Sequence, residues 1–224
     1  MEKFEKSSLK FLKDIAKNNT REWFKSNKNR YEELKNNSKA FLADLEKEIN
    51  KHDQIEKTKL FRIHRDVRFS KDKTPYNSHA SMSLSREGVY RRGGYFLRIK
   101  PGETILACGF WGPEPKDLKL IRDHISADSK PLRKILKSKK FKEVFGEMEG
   151  EQLKSAPRGY DKDHRDLDLL RYKQFIVTKK FKDSEVVAED FIKKLNQTYK
   201  AVRPFFDYMS DILTHDINGV PIYE

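Results

Sequence analysis

Apolar residues recur at helical spacing at both ends of the chain and alternate with polar ones in the middle. Near the N-terminus, Leu9, Leu12, Ile15 and Ala16 predict a first helix, with Ser7 or Ser8 available as its cap. Asn18-Asn19 ends it, and Thr20 can cap a second helix carrying Trp23, Phe24, Tyr31, Leu34, Phe41, Leu42, Leu45 and Ile49. A bend is expected near Asn36-Asn37-Ser38, whose side chains compete for backbone hydrogen bonds. From residue 60 the period becomes two. Phe61, Ile63, Val67 and Phe69 predict one face of a strand, and Arg62, His64, Asp66 and Arg68 the other, with Arg65 interrupting the apolar side. Further strands are expected over 81–85, 94–100 and 104–111, separated by turns at Arg91–Gly94 and Lys100–Glu103.

Helical spacing returns after Gly112-Pro113-Glu114-Pro115. Leu118, Ile121 and Ile125 form one stripe and Leu132, Ile135 and Leu136 another, with Pro131 suited to a first helical turn. Residues 155–177 read as a loop entering a helix or strand near Leu169. The segment from Glu185 to Leu213 reads as a long helix interrupted at Pro204. Helices, sheet, helices is an α+β order. The expectation is a single domain over residues 1–224, with a central, mainly antiparallel sheet packed by N-terminal and C-terminal helices.

Charge changes this picture in one place. The formal net charge is +13, and residues 51–100 hold thirteen Lys or Arg against five Asp or Glu. Such focusing attracts phosphates or an acidic partner. Other classes recede. The chain has no run of eighteen apolar residues, its opening lacks the apolar core of a secretory signal, and Cys108 is its one cysteine. A cytoplasmic protein off the membrane, without an intrachain disulfide or a multi-cysteine metal site, is expected.

The sharpest chemistry lies in LFRIHRDVRFSKDKTPY, residues 60–76. Arg62, Arg65 and Arg68, with Lys71, Lys73 and Tyr76 from the following loop and Arg158 from further along the chain, form a candidate anion site, because guanidinium groups give paired, charge-assisted bonds to phosphate oxygens. The same residues are compatible with a solvated face of Arg–Asp pairs. His64 with Asp66 on its face is a candidate general base, although neighbours on one strand face stand about 6.6 Å apart. A second cluster, PRGYDKDHRDLDLLRYK at 157–173, brings Arg158, Asp161, Asp163, His164, Asp166 and Asp168 into one stretch. Its spacing matches neither a His-Glu-x-x-His site nor a twelve-residue calcium loop. Capping by Asp166 or Asp168 ahead of Leu169 is favoured over a metal site. In GFWGPEP, Trp111 reads first as a core or turn anchor, and second as the cover of a pocket.

FLKDIAKNNTREWFKSNKNRYEEL, LFRIHRDVRFSKDKTPYNSH, FWGPEP, IRDHI and LKSAPRGYDKDHRDLDLLRYKQF follow one another in that order. In this the chain resembles the domain-of-unknown-function family 2461, conserved hypothetical proteins of bacteria and fungi, from about Leu9 to Leu213. The resemblance marks Trp23, Arg62, Arg65, Asp66, Arg68, Lys71, Asp72, Lys73, Tyr76, Trp111, Arg158, Gly159, Tyr160, His164 and Arg171 as its motif positions. It implies no substrate, catalytic residue or cofactor. The leading functional expectation is therefore binding of a phosphate-bearing small molecule or a nucleic acid through the basic face. The alternatives are a metal-assisted or histidine-dependent enzyme for phosphoryl or related anionic substrates, using His64, Asp66 or His164, and a docking surface for an acidic protein. RDVRFSKDK at 65–73 and PRGYDKDH at 157–164 are expected to converge on one site, with no cofactor required.

Overall fold

In the computed structural model, which describes residues 1–222, the N-terminal helical spacing becomes α1 (Lys6–Lys17), α2 (Arg21–Ser26) and α3 (Lys28–Ile49). Leu9, Phe11, Leu12 and Ile15 are the buried apolar stripe of α1, while Ala16 is exposed. Thr20 caps α2 as expected, its hydroxyl accepting from the Trp23 amide. Two local expectations are corrected. The break falls at Asn27, whose side-chain amide donates to the Trp23 carbonyl, and α3 runs unbroken through Asn36-Asn37-Ser38. Asn37 does not compete with its own helix because its amide group is used elsewhere. Its Oδ1 accepts from the Glu5 amide (2.9 Å) and the Ser8 hydroxyl (3.0 Å), and its Nδ2 donates to the Lys3 carbonyl (2.8 Å). That clamp also explains why neither serine caps α1. Glu5 is the N-cap residue, and Ser8 points at Asn37 instead.

Five strands follow: β1 (Ile55–Leu60), β2 (Ala80–Arg86), β3 (Gly94–Ile99), β4 (Thr104–Phe110) and β5 (Phe175–Phe181). They form one antiparallel sheet in the order β1-β2-β3-β4-β5. The strand expected over residues 60–69 is corrected: β1 ends at Leu60, and residues 61–79 leave the sheet as a loop. The last ladder bond there runs from the Phe61 amide to the Ser81 carbonyl. Beyond it, only the isolated His64–Tyr76 bridge pairs the two arms. β1 itself is an edge strand with a mostly polar sequence, IEKTKL, and its lysines disfavour pairing with another chain. At Gly109 (φ +136) β4 passes so close to β5 that a Cβ would stand 2.1 Å from the Phe175 carbonyl oxygen. Only glycine fits there.

Between β4 and β5 lie α4 (Pro115–Ala127), α5 (Lys130–Lys137), α6 (Lys139–Phe145) and α7 (Leu167–Leu170), and α8 (Asp183–Val186) and α9 (Phe191–Thr214) close the fold. Pro204 does not interrupt α9. Pro204 is exposed, and so is Lys200, whose carbonyl would have accepted the missing amide bond; water can take its place.

Packing gathers the chain into two compact units. Met1–Leu84, Phe96–Leu106 and Lys180–Gln197 form the first, and Ser85–Tyr95, Ala107–Lys179 and the residues from Thr198 onward form the second. In the first, Phe4 meets Phe41 edge-on, and Phe41 and Phe181 both contact Phe191. Leu12, Ile15, Leu45, Met82 and Leu97 complete that core at full or nearly full burial. In the second, Tyr95 packs on Tyr199 and Phe206, Phe110 on Phe205 and Phe206, and Ile121, Ile125, Leu132 and Leu170 are fully buried around them.

Candidate functional site

The loop of residues 61–79 belongs to the first unit. One end is anchored by Tyr76, which is buried and stacks on Phe24 with ring centroids 4.1 Å apart. The Tyr76 amide donates to Asn19 Oδ1 (3.1 Å) and its carbonyl accepts from Asn19 Nδ2 (2.8 Å). Ile63 is the loop's other buried anchor. Across from Tyr76, the His64 ring packs edge-on against Phe24 and Tyr76.

Arg65 braces the interior of the loop. Its Nη1 donates to Asp72 Oδ2 (2.5 Å), to the Thr74 carbonyl (3.1 Å) and to the Thr74 hydroxyl, while its amide donates to the Pro75 carbonyl (2.9 Å). Asp72 accepts from the Thr74 amide and hydroxyl as well. The Thr74 amide bond, then its hydroxyl and Arg65, hold the Asp72 carboxyl down to about 2. Lys73 Nζ reaches back to the Val67 carbonyl (3.0 Å). The alternating pattern here thus serves a folded loop whose polar groups bond one another; of Phe61, Ile63, Val67 and Phe69, Ile63 alone is buried.

Asp66 does not orient His64. It takes a paired bond from Arg68, Nε to Oδ1 at 3.0 Å and Nη2 to Oδ2 at 2.7 Å, and that pairing lowers its carboxyl below the ordinary range. Arg68, Lys71 and Arg62 remain exposed. Between Arg68 and Lys71 stands Phe69, 98% exposed, with the Arg68 guanidinium 6.0 Å from its ring centroid. Sequence reasoning placed Phe69 on a buried face and missed it. It also passed over His79, held neutral to about pH 4 by burial first and by the charges of Arg98, Lys100 and Arg65 second.

The 157–168 segment belongs to the second unit. Pro157 to Tyr160 form a tight turn in which Gly159 takes φ +89 and Arg158 is exposed. The Tyr160 hydroxyl donates to Asp123 Oδ1 at 2.7 Å. His164 Nδ1 accepts from the Asp166 amide (3.0 Å), so in the neutral ring Nε2 carries the proton and donates to the Ser126 hydroxyl (2.9 Å). This polarity is the reverse of a histidine that draws a proton from serine. Asp166 occupies the N-cap position of α7, but its side chain turns to α5. It accepts from Ser129 Oγ (2.5 Å), Arg133 Nε and Nη2 (2.9 and 2.8 Å) and Arg165 Nε (3.2 Å). Asp168 takes the other edge of Arg133. Asp161 and Asp163 are joined by a bond from the Asp163 amide to Asp161. Among the described residues no group of three or more His, Cys, Asp or Glu side chains is placed to hold a metal ion.

The family model for conserved hypothetical proteins, DUF2461, matches residues 7–208. The chain belongs to this family. Both motifs described above lie inside the matched span, one in each compact unit of this DUF2461 member. Among curated proteins and among solved structures no match is found. No helix of the described residues is long and apolar enough to cross a membrane.

Proposed function

We propose that the 61–79 loop of this DUF2461 protein binds single-stranded nucleic acid, with Phe69 as the stacking group and Arg62, Arg68 and Lys71 as phosphate contacts. The observation that carries this reading is Phe69 itself, a fully exposed ring set between cations on a loop that Arg65 holds in shape. Exposing a phenyl ring to water is unfavourable unless something else covers it. A base covers a ring face, and neighbouring cations take the phosphates on either side. The loop holds five Lys or Arg against two Asp, and Arg65 and Lys73 serve its internal bonding. Arg62 and Lys71 are the cations left for the strand, and Arg68, held to Asp66 through Nε and Nη2, has its Nη1 to offer.

Fluorescence anisotropy of labelled oligo-dT and oligo-U tests this. Three phosphate contacts correspond to a log–log salt slope of roughly −2. Phe69→Ala should weaken binding about 5- to 150-fold, the value of one stacked base, while leaving the slope unchanged. Arg68→Ala should make the slope shallower by about 0.7. No binding at low salt, or equal binding by Phe69→Ala, overturns the proposal. Capture of a polyglutamate peptide with the same Arg68 dependence but no Phe69 dependence would assign the loop to an acidic protein instead.

A further inference from the structure

The second compact unit carries a cavity that is separate in chemistry from the basic loop. It has a volume of about 340 Å³ and opens beside Trp111. Sequence reasoning favoured a core or turn anchor for this tryptophan, yet it is 70% exposed. Its backbone is well fixed. On one side β4 ends at Phe110, a buried ring packed edge-on against Phe205 and Phe206. On the other, Gly112-Pro113-Glu114-Pro115 leads stiffly into α4, with proline in its first turn. The floor is equally constrained. Gly93 sits at φ +89, and a Cβ there would stand 2.9 Å from the Phe206 ring and 3.1 Å from that of Phe110. Arg92 is tied to Asp117 by an ion pair and to Ser210 through its amide. The cavity is therefore a slot with a fixed backbone frame, lined in part by the exposed side chains of Trp111, Glu114 and Lys116.

Its charges select the occupant. Arg92 and Lys116 line the slot together with Glu114 and Asp117. A phosphate or a carboxylate ligand would meet two carboxylates there. A quaternary ammonium ion, which also favours a tryptophan face, would meet two cations. A neutral, planar ring whose edge bears both hydrogen-bond donors and acceptors suits all four groups and the indole. Nucleobases present that combination, and a cavity near the lower end of the range for small-ligand sites suits one base with its sugar. We propose that the Trp111 cavity is a binding site for a nucleobase, taken as a free base or nucleoside, stacked on the indole and read along its edge by the Arg92–Asp117 pair and Glu114.

Ligand-observed saturation-transfer NMR with adenosine, guanosine, cytidine and uridine, at up to about 5 mM each, tests the site at the affinity that one stacked ring supports. Tetramethylammonium and inorganic phosphate are the comparators. At least one nucleoside should bind saturably. Trp111→Ala should weaken it about tenfold or more, and Trp111→Phe should restore part of the loss, because stacking needs a ring face. Because Trp111 is exposed, both variants should keep the parent circular dichroism spectrum. Absence of binding by all four nucleosides overturns the proposal, as does equal binding by Trp111→Ala. Displacement of the nucleoside by phosphate or tetramethylammonium at equal concentration would also overturn it, by showing that charge and not ring shape is recognised.

Discussion

Asp166 and Asp168 grip opposite edges of the same guanidinium, yet replacing them should have very different consequences. The Asp166 side chain is 4% exposed and that of Asp168 is 59% exposed, with Arg133 between them at 28%. Asp166→Ala removes the acceptor of three donors, Ser129, Arg133 and Arg165, and leaves the buried Ser129 hydroxyl without its carboxylate. Breaking a buried pair costs about 3–5 kcal/mol, and the partial exposure of Arg133 reduces this to about 2–4 kcal/mol. In a chain of this length that is a fall in Tm of about 4–15 °C. Asp168→Ala removes a solvent-screened contact and should cost about 0–1 kcal/mol. Urea unfolding followed by circular dichroism measures both. Burial pushes the Asp166 carboxyl up, but the bonds from Ser129, Arg133 and Arg165 outweigh it and leave the group below its ordinary value. Its stabilising contribution is therefore present above the unfolded value near 3.9 and is lost as pH falls through the lower folded one. The parent should lose more stability on acidification than Asp166→Ala does. Equal costs for the two variants, or an Asp166→Ala cost below about 1 kcal/mol, would refute the assignment of this cluster to structure.

Three further outcomes are expected. The His79 ring should titrate near pH 4 by NMR, and because its folded value lies below the unfolded value near 6.5, its contribution should be lost as pH drops from about 6.5 to about 4. Asn37→Ala should destabilise the protein by about 1–2 kcal/mol and raise amide exchange across residues 3–8, since three bonds to that segment disappear together. Arg65→Ala should speed exchange of the Asn77 amide, which is bonded to Ile63 across the neck of the loop, and should weaken oligonucleotide binding without touching Phe69; unchanged exchange would mean that the loop holds its shape without Arg65.

The sequence was most legible where apolar period and turn chemistry agreed. Leu9, Leu12 and Ile15 marked α1, and the glycines and proline at Arg91–Gly94 and Lys100–Glu103 marked the hairpins joining β2, β3 and β4. It misled where alternation arose for another reason. Residues 61–69 alternate, but Phe69 faces water and Phe61 is only partly covered, against Phe96, and what fixes the backbone is Arg65 bonding to residues seven and nine places later. Binary pattern contains no record of side-chain bonds to backbone. β1 was invisible because an edge strand needs few apolar residues, and IEKTKL offers only Ile55 and Leu60. The partners of the Asp/His segment were equally hidden: Ser126 stands 38 residues before His164, and Ser129 and Arg133 stand 37 and 33 residues before Asp166. Trp111 was visible as a residue type, but not its exposure, which depends on how β4 ends.

The sheet order has a kinetic consequence. β3 and β4 are joined by four residues, Lys100–Glu103, whereas residues 111–174 intervene before β5 arrives beside β4. That connection is about sixteen times longer, which adds roughly 2.4 kcal/mol of closure entropy if it is unstructured when the strands meet. The hairpins of β2, β3 and β4 can form from local encounters, while β5 is better delivered after α4 to α7 have shortened the distance it must search. In a refolding experiment the β5 amides, Phe175–Phe181, should gain protection later than those of β3, and until they do β4 presents an open edge to neighbouring chains. Aggregation during refolding should therefore rise with any change that delays the helical insertion, even one that leaves the finished sheet untouched.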